Sequence, residues 1–325
     1  MTALLDIRAL SVRFPTAQGE LSALDSVALE LQPGATLGLV GESGSGKSLL
    51  CRAILGLLPR AAFVAPEARI RFGGEDLLRL DSAAMRAIRG RRIAMVFQDP
   101  MTSLNPVRTI AAQLIEGMRV HLGLASADAR QRALELLDQV GITAPEQRLG
   151  QYPHELSGGM RQRVAIAMAI ACRPELLIAD EPTTALDVTV QAEVLQLLRR
   201  LQSQHRMAMI LVTHDLGLAA GYTDEIAVMY AGQIVERAAT RVLFKTPRMP
   251  YTRALIASVP RLDGEPQRRL VAIPGRAATF YGDPPQCRFA PRCERREARC
   301  LQEKPALVPA GSDRHLYRCW NPEAA

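Results

Sequence analysis

A glycine-rich segment, Gly41-Glu42-Ser43-Gly44-Ser45-Gly46-Lys47-Ser48, holds the residues best suited to chemistry. It follows an apolar run that predicts a strand and precedes a helical pattern, an order typical of a phosphate-binding loop. Glycines let consecutive backbone N–H groups point at one phosphate, to which the helix N-terminus adds partial positive charge. Lys47 offers a compact ammonium for the β- and γ-phosphates, and Ser48 offers a hydroxyl for Mg²⁺. Only three of the 40 basic residues are lysines, so a lysine here favours a nucleotide site over a simple glycine turn.

A second candidate feature is the apolar run 176–179, which ends in the two acids Asp180 and Glu181. The carboxyl ends of parallel strands meet at one edge of a sheet, where a phosphate loop also lies. We expect Asp180 to join the Mg²⁺ shell and Glu181 to orient and deprotonate the water that attacks the γ-phosphate. Alone, such a pair would more often be a strand end before a turn. Together with the phosphate loop, it favours catalysis.

A third feature is Leu156-Ser157-Gly158-Gly159-Met160, which precedes a long helical pattern ending near residue 171. It offers a serine hydroxyl and two glycine N–H groups at a helix N-terminus, and these groups form a second anion site. A γ-phosphate held at residues 41–48 could not easily use this second site in the same subunit. The pattern therefore predicts a dimer in which Ser157, Gly158 and Gly159 of one subunit close over the nucleotide of the other.

With these three motifs the chain resembles the ATPase subunit of an ABC transporter, although Met160 stands where that family more often has Gln. The resemblance implies an α/β fold of the P-loop NTPase class, with a helical subdomain inside an ABC-type nucleotide-binding domain. It implies that Gln98 touches Mg²⁺ and senses a membrane partner, and that His214 contacts the γ-phosphate. It also implies that Asp187, in Thr184-Ala185-Leu186-Asp187, is the D-loop acid that acts across the dimer.

The same resemblance implies which residues bind the nucleotide, which are catalytic and which hold Mg²⁺. Phe14 lies 27 positions before Gly41, where the family has an aromatic that stacks on adenine, although packing in the core is an alternative. The implied nucleotide-binding residues are Phe14, Gly41, Ser43, Gly44, Ser45, Gly46, Lys47, Ser48 and Leu49. The implied catalytic residues are Glu181, His214 and Gln98, and the implied Mg²⁺ ligands are Ser48, Gln98 and Asp180.

Residues 98–106 (QDPMTSLNP) and 250–255 (PYTRAL) resemble the peptide/nickel importer branch, and within it the dipeptide and oligopeptide subunits. The resemblance covers almost the whole chain. It implies ATP- and Mg²⁺-dependent import of di- or oligopeptides, with nickel chelates, glutathione and opines as alternative cargoes. It also implies two integral-membrane permease subunits, a second homologous ATPase subunit and, indirectly, an external substrate-binding protein. The expected location is peripheral, at the cytoplasmic face of the inner membrane of a bacterium.

Four cysteines, Cys287, Cys293, Cys300 and Cys319, lie in the last part of the chain. A cytosolic location argues against disulfides, and the spacing lacks the paired C-x-x-C of most zinc sites. From the residues alone, a zinc site, disulfides and free thiols are all alternatives for these four cysteines. The family resemblance implies a [4Fe–4S] cluster, with nearby arginines offsetting its negative charge: Arg288, Arg292, Arg295, Arg296 and Arg299.

The elements that must position these residues follow from the hydrophobic pattern. Short apolar runs at 36–40, 93–97, 176–179 and 209–212 predict buried strands, and they alternate with helical patterns at 49–58, 130–140 and 190–201. This alternation predicts an α/β domain with a mainly parallel sheet. The composition changes near residue 245. We therefore expect an ABC ATPase domain over residues 1–245, a helical subdomain over about 99–175, and a small irregular cysteine-containing extension over 246–325.

The composition excludes several classes of protein. With 48% hydrophobic and 22% charged residues, the 325-residue chain is expected to be globular and not disordered. The longest apolar run has nine residues, too few to span a membrane, and the N-terminus does not resemble a signal peptide. Of the net charge of +7, residues 246–325 supply +6, from 14 basic and 8 acidic side chains. The near-neutral remainder offers no nucleic-acid face, which argues against the distant alternative of a soluble, non-transport ABC ATPase.

Overall fold

The computed structural model describes residues 3–99, 103–184, 186–259, 273–276 and 278–324. Residues 100–102 and 185, which belong to two of the segments quoted above, lie outside the described residues. The chain forms two compact units. The first comprises Met1–Leu31, Thr36–Leu78 and Leu211–Ala325, and the second comprises Gln32–Ala35 and Arg79–Ile210.

The first unit contains an antiparallel sheet built from the N-terminal part of the chain. Its strands are β1 (Leu5–Thr16), β2 (Gly19–Leu31), β4 (Phe63–Val64), β5 (Arg69–Phe72) and β6 (Glu75–Asp76). The strand order is β2-β1-β5-β6, and β4 also pairs with β1. Along β2, buried and exposed residues largely alternate, so this strand covers the core with one face.

A second set of strands in the first unit positions the phosphate loop. These are β3 (Thr36–Val40), β10 (Glu225–Tyr230), β11 (Gln233–Ala239), β12 (Val308–Ala310) and β13 (Ser312–Tyr317), in the order β12-β13-β11-β10-β3. The β3–β10 pair is parallel, and the other pairs in this set are antiparallel. All five residues of β3 are buried, as its continuous apolar sequence predicts.

The helices of the first unit are α1 (Lys47–Ile54), α8 (Leu216–Tyr222), α9 (Thr240–Lys245), α10 (Pro250–Ser258) and α11 (Ala298–Gln302). The sequence pattern predicts that the first of these extends to residue 58, but it ends at Ile54. The difference has a local cause, because Gly56 has a φ of 61° and Pro59 follows, and neither continues a helix.

The second unit contains three strands, β7 (Ile93–Val96), β8 (Leu176–Asp180) and β9 (Ala208–Thr213), in the order β9-β8-β7. Each predicted strand is present, with ends that differ from the prediction by one residue. The unit's helices are α2 (Ser82–Ile88), α3 (Ile110–Leu122), α4 (Ser126–Gln139), α5 (Pro145–Leu149), α6 (Gly158–Ile170) and α7 (Val188–His205). The chain leaves this unit within β9.

The C-terminal residues are more regular than the sequence predicts. Instead of an irregular extension, the structure has α10, α11, β12 and β13, and β13 pairs with β11 through Glu236–Tyr317 and Arg237–Leu316. Tyr251 and Phe289 join the buried cluster that also contains Tyr230 of β10.

A domain boundary near residue 245 and a helical subdomain over about 99–175 stay predictions. Across the described ranges, none of the helices combines the length and apolar character needed to cross a membrane.

Candidate active site

The phosphate loop occupies the turn from β3 to α1 and depends on its glycines. Gly41, Gly44 and Gly46 have φ values of 154°, 77° and 104°, a region that other residues rarely adopt. A Cβ on Gly41 would lie 2.1 Å from the backbone oxygen of Met229, so this position has no room for a side chain. A Cβ on Gly44 would meet nothing within 4 Å, so the loop is open on that side.

Two polar side chains of the loop point to an anion ligand. The Lys47 side chain is buried, and its Nζ donates hydrogen bonds to the Gly41 oxygen at 2.7 Å and the Glu42 oxygen at 3.1 Å. The Ser45 hydroxyl is buried and has no hydrogen-bond partner among the residues that the structure describes. A buried hydroxyl without a partner is costly in a folded protein, and a bound phosphate oxygen would satisfy it.

Two other predicted nucleotide contacts lie in the same unit as the loop. Phe14 is half-buried in β1, where it pairs with Leu21. His214 immediately follows β9 and is exposed. Adenine stacking by Phe14 and phosphate sensing by His214 stay predictions.

In the second unit, the structure brings Gln98 and Glu181 together. Asp180 ends β8 and is 5% exposed. The next residue, Glu181, has a φ of 46°, a strained conformation for a residue with a side chain, and such strain is concentrated at functional sites. The Glu181 carboxylate oxygen Oε2 accepts hydrogen bonds from Gln98 Nε2 at 3.1 Å and from Thr184 Oγ1 at 2.9 Å. The sequence did not predict a role for Thr184. The only sequence feature that links Thr184 to Glu181 is their separation of three residues.

The serine–glycine motif and Asp187 both cap helices of the second unit. Ser157 is the N-cap of α6, and its hydroxyl accepts a hydrogen bond from the Met160 N–H at 3.3 Å. Asp187 is the N-cap of α7, where its carboxylate accepts from the Val190 N–H at 2.9 Å. A Cβ on Gly159 would lie 3.1 Å from the Val190 side chain, so α6 and α7 approach closely there. Contacts of these residues with a second subunit stay predictions.

The residues predicted to hold Mg²⁺ have suitable chemistry. Mg²⁺ prefers oxygen ligands, including one or two carboxylates together with nucleotide phosphates. Asp180 supplies a nearly buried carboxylate, and Ser48 supplies a hydroxyl in the first turn of α1. Gln98 supplies an amide whose nitrogen is already engaged with Glu181, so its oxygen is the atom suited to a metal.

The iron–sulfur prediction is wrong. Within the described part of the chain, no group of three or more His, Cys, Asp or Glu side chains is arranged to hold a metal ion, so the zinc alternative has no support there either. Cys287, Cys293 and Cys319 instead pack as apolar side chains against the core cluster, and Cys300 is buried. Burial raises the pKa of the Cys287 and Cys293 thiols and raises that of Cys319 to about 12, so these groups stay protonated at neutral pH.

Four of the five arginines that were expected to balance a cluster pair with carboxylates. Arg288 contacts Asp25 at 3.0 Å, and Arg292 contacts Glu42 at 2.6 Å. Arg295 and Arg299 form ion pairs with Glu323 and Glu303. Ion pairs within the fold therefore neutralise part of the excess positive charge in this part of the sequence.

Arg292 and Tyr251 are a second set of residues that sequence reasoning missed. Both contact Glu42, the second residue of the phosphate loop, through the Glu42 carboxylate and the Glu42 backbone N–H respectively. Arg292 follows Glu42 by 250 residues and Tyr251 follows it by 209, and no sequence spacing rule links either to Glu42.

Comparisons with known proteins agree with this combination of loop, acidic strand end and capped helices. The sequence profile of the ABC transporter family matches residues 24–184, and that of the oligopeptide/dipeptide transporter C-terminal region matches residues 235–300. A dimeric ATP-binding cassette, solved in a post-hydrolysis state with ADP and phosphate, has a TM-score of 0.65 and 28% identity. That match covers 73% of this chain and 99% of the cassette. The fold is therefore the ATPase cassette of ABC transporters, and ATP with Mg²⁺ is the nucleotide system of that class.

Relatives that match over most of the chain narrow the class further. The dipeptide transport ATP-binding protein of Escherichia coli is 48% identical, over 94% of this chain and 93% of that protein. The protein of the same name from Bacillus subtilis is 45% identical, over 98% and 95%. The chain belongs to the dipeptide/oligopeptide branch of the ABC transporter ATP-binding subunits.

Proposed function

We propose that this chain hydrolyses ATP to drive import of dipeptides and oligopeptides across the cytoplasmic membrane of a bacterium. The observation that carries the proposal is its similarity to dipeptide transport ATP-binding proteins, which extends over at least 94% of the chain at 45–48% identity. The match of the C-terminal profile supports the same branch, because that profile describes a region specific to oligopeptide and dipeptide transporters.

In this proposal, residues of the first unit bind the nucleotide. The N–H groups of residues 43–49 surround the β-phosphate, and Lys47 neutralises charge on the β- and γ-phosphates. Phe14 stacks on the adenine, and His214 contacts the γ-phosphate. Mg²⁺, when bound with ATP, supplies further positive charge at the phosphate oxygens. The buried Ser45 hydroxyl supports phosphate binding, because phosphate would provide its missing hydrogen-bond acceptor.

Residues of the second unit then act on the attacking water. Glu181 orients the water and accepts its proton while the water oxygen bonds to the γ-phosphorus. The bond from the γ-phosphorus to the β–γ bridging oxygen breaks, and ADP and inorganic phosphate are formed. The hydrogen bonds from Gln98 and Thr184 fix one oxygen of the Glu181 carboxylate and so orient the group that would accept the proton.

The transporter would be an assembly of several chains. Ser157, Gly158, Gly159 and Asp187 would act on the nucleotide of a second, homologous ATPase subunit. Two integral-membrane permease subunits would hold both ATPases at the cytoplasmic face of the inner membrane, and an external protein would deliver the peptide. The proposed ATPase domain covers residues 1–245, its helical subdomain (about 99–175) contacts the permeases, and residues 246–325 form the branch-specific region.

The test is reconstitution with the two permease subunits, the second ATPase subunit and the external binding protein. We expect the chain to be recovered with the membrane, and we expect binding protein loaded with a dipeptide to stimulate ATP hydrolysis. The matched controls are binding protein without ligand and binding protein incubated with a nickel chelate, glutathione or an opine.

Stimulation by one of those other ligands instead of a peptide would contradict the peptide assignment and leave the ATPase assignment intact. A chain that stays soluble beside its permeases and binds polynucleotide would contradict the transport function itself.

A further inference from the structure

Glu42, the second residue of the phosphate loop, is held on three sides. Its backbone N–H donates a hydrogen bond to the Tyr251 hydroxyl at 3.0 Å. Its carboxylate accepts two hydrogen bonds from Arg292. Its backbone oxygen accepts a hydrogen bond from Lys47 Nζ at 3.1 Å. The residue that helps to orient the phosphate-binding lysine is thus fixed by two side chains from the C-terminal part of the chain.

Arg292 holds the Glu42 carboxylate with a bidentate contact. Its Nη1 lies 2.6 Å from Glu42 Oε2, and its Nη2 lies 2.9 Å from Glu42 Oε1. Its side chain is 6% exposed, and its Nε donates to the Pro274 oxygen at 2.8 Å. A planar guanidinium in two parallel charged hydrogen bonds has a defined orientation, and low exposure protects the pair from screening by salt.

Tyr251 holds the backbone of the same residue. It is fully buried, and its ring packs against Tyr230 and Phe289 at centroid distances of 4.6 and 5.3 Å. Burial raises the pKa of the Tyr251 hydroxyl, which stays neutral and presents an oxygen lone pair to the Glu42 N–H. The aromatic packing fixes the ring, so the position of its hydroxyl is also fixed.

The loop itself is rich in glycine and would otherwise have many backbone conformations. Holding such a loop in its binding conformation before the ligand arrives lowers the entropy lost on binding. We propose that Arg292 and Tyr251 are positioning residues that hold the phosphate loop, through Glu42, in the conformation that binds the polyphosphate of a Mg²⁺–nucleotide. This inference rests on the proposed ATPase function and adds that the C-terminal region is needed for full nucleotide affinity.

Arg292 also lines a cavity of about 320 Å³ beside α10, so truncating it to alanine would enlarge this cavity. Arg292→Gln, which keeps most of the volume, is the better test. Tyr251→Phe keeps the ring and removes only the acceptor for the Glu42 N–H. Arg295→Gln is the matched control, because Arg295 lies near Arg292 and pairs with Glu323 instead of the loop.

The experiment measures the dissociation constant of a non-hydrolysable ATP analogue with Mg²⁺ for the full chain, and thermal unfolding confirms that each variant is folded. We expect Arg292→Gln to weaken binding about three- to tenfold and Tyr251→Phe about two- to fivefold. Arg292→Lys should recover part of the affinity, because one ammonium can contact one carboxylate oxygen. Arg295→Gln should bind like the wild type.

A double variant shows whether Arg292 acts through Glu42. If it does, Glu42→Gln/Arg292→Gln binds no more weakly than the weaker single variant, because each single change already breaks the same contact. Wild-type affinity in folded Arg292→Gln and Tyr251→Phe, or additive losses in the double variant, would overturn the inference. Failure of the wild-type chain to bind the analogue would instead overturn the proposed function, so the two failures are distinguishable.

Discussion

At the scale of single residues, Glu181 is held in a defined position before any substrate arrives. One of its carboxylate oxygens accepts hydrogen bonds from Gln98 and Thr184, and its backbone has the unfavourable φ of 46°. A base in a fixed position needs little reorganisation to reach the attacking water, which is an advantage for catalysis. The sequence motif predicted catalytic roles for Glu181 and Gln98, but it did not predict that the two side chains contact each other.

Thr184 should therefore affect the chemical step more than nucleotide binding. Thr184→Val removes the hydroxyl that donates to Glu181 Oε2 at 2.9 Å and keeps a similar side-chain shape. We expect kcat for ATP hydrolysis in the assembled transporter to fall about three- to tenfold, with little change in KM.

The control is Thr143→Val, because Thr143 is an exposed threonine between α4 and α5 and is not one of the predicted site residues. It should have wild-type kinetics. A rise in KM at unchanged kcat for Thr184→Val would show that the hydroxyl acts in binding and does not position the base.

At the scale of elements, the buried strands were the most predictable part of the fold. Each of β3, β7, β8 and β9 is short, apolar and bounded by polar or glycine residues, and the structure has all four. The C-terminal strands β12 and β13 were not predicted, because they are short and lie in a proline-rich region where local patterns are weak. The strand β13 pairs with β11, a contact between distant parts of the sequence, and β12 pairs in turn with β13.

Glu236 of β11 is the residue that ties these C-terminal elements together. Its fully buried carboxylate accepts hydrogen bonds from the backbone N–H groups of Arg248 and Met249 at 2.6 and 2.9 Å. It also accepts one from His315 of β13 at 2.8 Å. Glu236→Gln replaces one acceptor oxygen with a donor and leaves a buried N–H unpaired. We expect a loss of about 2 kcal/mol in stability, seen as a fall of about 3 °C in the midpoint of thermal unfolding.

Glu303→Gln is the comparison for this prediction. Glu303 pairs with Arg299 on the surface, where both side chains are more than half exposed, so its loss should cost less than about 1 kcal/mol. Equal midpoints for the Glu236 and Glu303 variants would contradict the structural role assigned to Glu236.

At the scale of the whole molecule, motif order identified the class of protein more reliably than any single feature. Sequence reasoning failed where partners are far apart along the chain, as with Glu42, Tyr251 and Arg292, which the fold alone brings into contact. It also failed for the four cysteines, because their spacing could not show that Cys287, Cys293 and Cys319 pack against an apolar core cluster and that Cys300 is buried. A hydrophobic environment and a metal site can share the same pattern of cysteines in sequence.

The most direct test of the central claim is peptide uptake by the complete transporter in proteoliposomes. ATP is enclosed inside, and the external binding protein with a radiolabelled dipeptide is added outside. We predict accumulation of the dipeptide with ATP inside, none with ADP inside, and none when this chain carries Glu181→Gln. Equal accumulation with ADP, or unchanged uptake with the Glu181 variant, would contradict the claim that hydrolysis by this chain drives import.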